Sequence, residues 1–82
     1  MTKALTISEV KNELSRFSKD HLVFIGDECI TKACEFLSLG NDKQVELQLR
    51  WYSYVDEYIR TKKVSKEMRD FVQFFQIIIK TN

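Results

Sequence analysis

Residues 41–62 read Asn41-Asp42-Lys43-Gln44-Val45-Glu46-Leu47-Gln48-Leu49-Arg50-Trp51-Tyr52-Ser53-Tyr54-Val55-Asp56-Glu57-Tyr58-Ile59-Arg60-Thr61-Lys62, and this stretch decides the fold. It contains no Gly or Pro, and its apolar residues recur three and four apart, which is helical spacing. At 1.5 Å per residue, some 20 residues make a helix of about 30 Å, the full width of a small domain. Asn41 or Asp42 is placed to cap its start, and the basic run Arg60-Thr61-Lys62-Lys63 suits the negative end of the helix dipole.

This helix carries two apolar stripes where an edge helix needs one. Val45, Leu49, Tyr52 and Ile59 form the first. Leu47, Trp51, Tyr54 and Tyr58 form the second, at spacings of four, three and four. At 100° per residue the second stripe lies about 180–240° from Val45, with Val55 between the two. Glu46, Arg50, Ser53, Glu57 and Arg60 are confined to an arc of about 80°. Two arrangements fit. Either the helix is central and both stripes are buried, or the second stripe stays exposed and docks a partner. Trp and Tyr suit an interface because they combine large contact area with a polar atom for the wet rim.

Outward from this helix, the rest of the chain is also helical. Ile7, Val10, Leu14 and Phe17 share one face of a helix over about 7–18, and Thr6 with Glu9 makes a capping-box pattern at its start. Residues 20–25 are ambiguous: Leu22-Val23-Phe24-Ile25 could be a strand, but no second strand exists to pair with it, so a helix or packed connector is expected. Asp27 can cap a second helix with the stripe Ile30, Ala33, Cys34 and Leu37, stopped by Gly40. Ser65 caps the last helix, whose stripe is Met68, Phe71, Val72, Phe75, Ile78 and Ile79, with Phe74 and Ile77 outside it. The expected fold is all-α, a compact bundle of four to five helices forming a single domain over residues 1–82.

Composition narrows the function. The chain has 82 residues, 13 Lys+Arg, 12 Asp+Glu and a net charge of +1, which argues against attachment to nucleic acid by bulk charge. No apolar run approaches the roughly 20 residues of a membrane span, and Met1-Thr2-Lys3-Ala4-Leu5 does not open a secretory signal. Cys29 and Cys34 lie five apart, about 140° around a helix, so they are expected as reduced thiols in a cytoplasmic protein. With the lone His21 they lack a fourth ligand and a Cys-x-x-Cys spacing, so no metal or other cofactor is expected.

Catalysis needs a nucleophile, a base or a metal held in a site. One histidine, adjacent carboxylates Asp56 and Glu57 pointing about 100° apart, and no G-x-S-x-G, P-loop or H-E-x-x-H pattern point away from an enzyme. The binding candidates are therefore Leu47, Trp51, Tyr54, Tyr58, Phe74 and Ile77 for a protein partner. Arg60, Lys62, Lys63, Lys66 and Arg69, around the last interhelix turn, could steer an acidic partner electrostatically. The same basic turn at 60–69 supports the alternative, a small DNA-binding transcriptional regulator. Against that alternative, the helix after Gly40 opens Asn41-Asp42-Lys43-Gln44-Val45-Glu46-Leu47, too neutral and too soon aromatic for a recognition helix.

The opening Met-Thr-Lys-Ala-Leu-Thr-Ile-Ser-Glu-Val and the segment Arg50-Trp51-Tyr52-Ser53-Tyr54-Val55-Asp56-Glu57-Tyr58, together with the length, resemble the small cytoplasmic lysis-inhibition proteins (antiholins) of T-even bacteriophages. The resemblance spans the whole chain and rests on no diagnostic motif. It implies a non-enzymatic regulatory protein of the host cytoplasm that binds the cytosolic N-terminal segment of the phage holin and delays lysis. It carries no binding residues over to particular positions. Self-association into a homo-oligomer is compatible with the same aromatic surface.

Overall fold

A computed structural model describes residues 4–81, with side chains as far as Ile77. Four helices follow in order: α1 (Ile7–Leu14), α2 (Lys19–Leu37), α3 (Asn41–Thr61) and α4 (Lys66–Thr81). They pack into an all-α globule with a Cα radius of gyration of 12.3 Å and extents of 33 × 29 × 19 Å. The longest extent is close to the roughly 30 Å length of α3, so this helix spans the molecule.

Helix boundaries follow local chemistry. At the start of α1, Thr6 Oγ1 accepts from the Glu9 backbone N–H at 3.1 Å and Glu9 Oε1 accepts from the Thr6 N–H at 3.1 Å, the expected capping box. α1 ends at Leu14, short of residue 18, because tight turn bonds follow: Arg16 N–H to the Glu13 carbonyl and Phe17 N–H to the Leu14 carbonyl. Ser18 then caps α2, its hydroxyl accepting from the His21 N–H at 3.2 Å. Residues 20–25 are therefore helical, and α2 runs through them without a break. Asp27 is mid-helix, not a cap.

Gly40 does not stop α2 either. The helix ends with Ser38 in the left-handed region (φ 57), the Leu39 N–H bonding the Cys34 carbonyl at 2.8 Å and the Ser38 N–H the Glu35 carbonyl at 3.3 Å. That pair of bonds is a Schellman motif. Gly40 is instead the N-cap of α3, without a side-chain cap bond. Lys62, also left-handed (φ 62), ends α3. Ser65 caps α4 as expected, its hydroxyl accepting from the Met68 N–H at 3.1 Å.

The core is built from Val10 and Leu14 of α1, Leu22, Cys29, Ile30 and Cys34 of α2, Trp51, Val55 and Tyr58 of α3, Val64, and Met68 and Phe75 of α4. Ile7 and Phe17, assigned by periodicity to the inner face of α1, are exposed; Phe17 stacks on His21 with ring centroids 5.0 Å apart. Ile78 and Ile79 lie outside the residues whose side chains are described.

Trp51 is the centre of this core. It is 1% exposed and meets Phe75 edge-on at 5.3 Å and Phe71 at 5.8 Å, while Tyr54 packs edge-on against Phe71 at 5.6 Å. Its Nε1–H donates to the Leu22 carbonyl at 3.0 Å. The indole can reach that backbone oxygen because Gly26 stands one turn on. A Cβ there would sit 1.9 Å from the indole nitrogen. Gly26 thus supplies the close approach of α2 to α3 that Trp51 occupies.

Candidate functional site

The second stripe of α3 belongs to the core. Trp51 and Tyr58 are buried, Leu47 and Tyr54 are half-buried, and all four face α4 or the centre of the bundle. Phe74 is half-buried beside Phe75, and Ile77 is exposed. The arrangement in which this stripe forms an open docking face is corrected accordingly: α4 lays Phe71 and Phe75 against it. Truncating Trp51 would empty the core, not trim an interface.

The first stripe, expected to face inward, is the open one. Val45 is 51% exposed and Leu49 60%, while Tyr52 and Ile59 are half-buried. Across the seam, Phe24 of α2 is 57% exposed. α2 and α3 run antiparallel, as Lys19–Asp56, Leu22–Trp51, Asp27–Tyr52 and Thr31–Gln44 contacts show. Helical geometry places Val45, Leu49, Tyr52 and Asp56 on the α3 flank away from α4, and Asp20, Phe24, Asp27 and Thr31 on the matching flank of α2. These flanks form one outer surface of the α2–α3 hairpin, with large apolar side chains on both helices.

Two polar links fix that surface. The Tyr52 hydroxyl donates to Asp27 Oδ1 at 2.7 Å, and this bond, with burial and the Asp27 charge adding to it, raises the phenol above its ordinary value. Lys19 Nζ lies 2.8 Å from Asp56 Oδ1, and the bond to Asp56 and its charge raise the ammonium. The second link is open to solvent and contributes little to stability.

The basic residues of the α3–α4 turn do cluster in sequence, and Arg60, Lys62, Lys63 and Lys66 are exposed. Arg69 is half-buried and lies 3.0 Å from Asp70. Lys62 also has a backbone role, as the left-handed terminator of α3.

A cleft of about 690 Å³ opens between α1, α2 and α4, with Val10, Phe17, Leu22, Trp51, Val72 and Phe75 among its walls and Glu9, Glu13 and Arg16 at its edge. Cys29 lines it as well, and burial raises its thiol. Cys29 and Cys34 are both buried and free. His21 is engaged with Phe17, and among the described residues no group of three or more His, Cys, Asp or Glu is placed to hold a metal ion. No helix among the described residues is long and apolar enough to cross a membrane.

No family model matches the chain, and neither does any curated protein or solved structure.

Proposed function

We propose that this protein is a non-catalytic regulatory domain that binds a protein partner on the outer surface of the α2–α3 hairpin. The observation that carries this reading is the exposure of Phe24, Val45 and Leu49 on the two flanks of one seam. Soluble domains seldom leave large apolar side chains grouped in this way unless something covers them. The resemblance to the T-even lysis-inhibition proteins names the partner: the cytosolic N-terminal segment of a phage holin, held in the host cytoplasm so that lysis is delayed. Binding of that soluble segment would draw the holin away from assembly by mass action, as far as its affinity for the unassembled form allows.

The test is lysis time in bacteria expressing a T-even holin, with and without this protein. A reproducible delay is expected, abolished by Phe24→Ser or Leu49→Ser. Both positions are exposed, so these variants should keep the helical circular dichroism of the parent. Unchanged lysis time at good expression, or a delay indifferent to both variants, would refute the reading. A gel shift on duplex DNA, sensitive to salt and to Lys62 and Lys63 substitution, would favour the DNA-binding alternative.

A further inference from the structure

The geometry points to a cationic amphipathic helix as the segment that docks on the α2–α3 outer surface. This inference rests on the partner-binding reading above and specifies the chemistry of the partner. It starts from the charges around the apolar side chains. The arc of α2 that carries Phe24 spans about 100° and contains Asp20, Asp27, Glu28, Thr31 and Glu35, with no Lys or Arg among them. Asp20, Glu28 and Glu35 are exposed, and among the described residues none of them is in an ion pair. On α3, Arg60 lies near Leu49 in helix rotation but eleven residues, about 16 Å, further along the axis, and Arg50 and Lys43 point away from the face, where they pair with Glu46 at 3.2 and 3.5 Å. Asp27 is held at the seam by the Tyr52 hydroxyl, so its negative charge is fixed beside the apolar side chains.

An apolar strip edged by carboxylates selects among occupants. A second copy packed across a two-fold axis would set Asp20, Glu28 and Glu35 near the same residues of its mate, and like charges at close quarters oppose association. An anionic lipid surface or a nucleic acid backbone is repelled for the same reason. A helix with Leu or Ile at i, i+3, i+4 and i+7 and Lys or Arg on its flanks satisfies both features together. Its apolar face covers Phe24, Val45 and Leu49, and its bases meet the acidic edge of α2. The seam between two antiparallel helices is the natural groove for it.

Two 18-residue synthetic amphipathic peptides test this, identical in their Leu face and differing only in Lys or Glu on the polar face. Binding is followed by fluorescence anisotropy with the full chain. The Lys peptide should bind at least tenfold more tightly than the Glu peptide. Its affinity should fall at least tenfold in Phe24→Ser and in Leu49→Ser, and several-fold in Asp20→Asn/Glu28→Gln. Raising the salt from 50 to 500 mM should weaken it. Equal binding of the two peptides, or Lys-peptide binding indifferent to Phe24→Ser and Leu49→Ser, overturns the inference. The two claims separate: lysis delay lost in Leu49→Ser without a charge preference keeps the partner-binding reading and removes this one. A charge-selective peptide site with no effect on lysis keeps this inference and the binding surface, and removes the holin segment as the partner.

Discussion

Replacing Gly26 with Ala should unfold this domain far more readily than any propensity argument suggests. On an open helix face the change would stabilise by about 1 kcal/mol, because alanine favours the helix. Here the new Cβ would stand 1.9 Å from Trp51 Nε1, 2.2 Å from Cδ1 and 2.6 Å from Cε2. Restoring ordinary carbon contacts of about 3.5–4.0 Å requires the indole to retreat by roughly 1.5–2 Å. It cannot do so freely, since Phe75 and Phe71 lie against it at 5.3 and 5.8 Å between centroids. Retreat also breaks the 3.0 Å bond to the Leu22 carbonyl and strands a buried donor, which costs about 1–3 kcal/mol. Overpacking adds about 1–3 kcal/mol. Offset by propensity, the net loss is about 1–5 kcal/mol; its midpoint of about 3 kcal/mol corresponds to a fall in Tm of roughly 12–24 °C for a protein of this size. Urea denaturation of Gly26→Ala and wild type measures it. The second arm repeats the substitution in a Trp51→Leu background, where most of the penalty should vanish. Gly40→Ala is the control, since nothing lies within 4 Å of a Cβ there. A Gly26→Ala protein as stable as wild type, or a penalty unchanged without the indole, would refute the packing argument.

Ser38→Gly should stabilise the protein by about 0.5–1 kcal/mol in the same assay, because Ser38 holds φ 57 and glycine meets no Cβ conflict there. Tyr52→Phe should lower stability by about 1 kcal/mol at neutral pH through loss of the bond to Asp27. The folded phenol titrates above its unfolded value of about 10, so its contribution is complete below that pH and disappears as pH rises through the folded value. Urea midpoints measured from pH 8 to 11 should therefore fall more steeply for wild type than for Tyr52→Phe. Cys29 and Cys34 are buried, and desolvation raises the Cys29 thiol, so both should react slowly with an aromatic disulfide reagent in the native state and at once in denaturant.

Much of the architecture was legible from local pattern. The capping box of Thr6 and Glu9, the Ser65 cap and the long periodic helix ending near Lys62 are short-range chemistry, and each stands where its residues predict. The boundary of α2 was less legible. Asp27 has the side chain of a cap, but its carboxylate serves Tyr52, 25 positions away in sequence, and a partner that distant leaves no local signature. Gly40 looks like a stop, yet Ser38 takes the left-handed position two residues earlier.

The face of α3 that meets solvent was not legible at all. Both stripes satisfy the helical period, and periodicity says only that each forms a line, not which line finds a neighbour. The available hint was Gly26, a missing side chain within an apolar run, which marks where the bulkiest residue of another helix can come closest.

That this protein is helical, where most of its helices start, and that α3 has more apolar surface than one neighbour needs are all properties of the chain read locally. Those properties depend on residues a few positions apart. The packing of the four helices places Trp51 and Tyr58 in the core and turns Val45 and Leu49, with Phe24, outward. Burial is settled between helices: the notch at Gly26 and the rings of Phe71 and Phe75 accept the aromatic stripe, while Val45 and Leu49 stay exposed at the edge of the α2 contact.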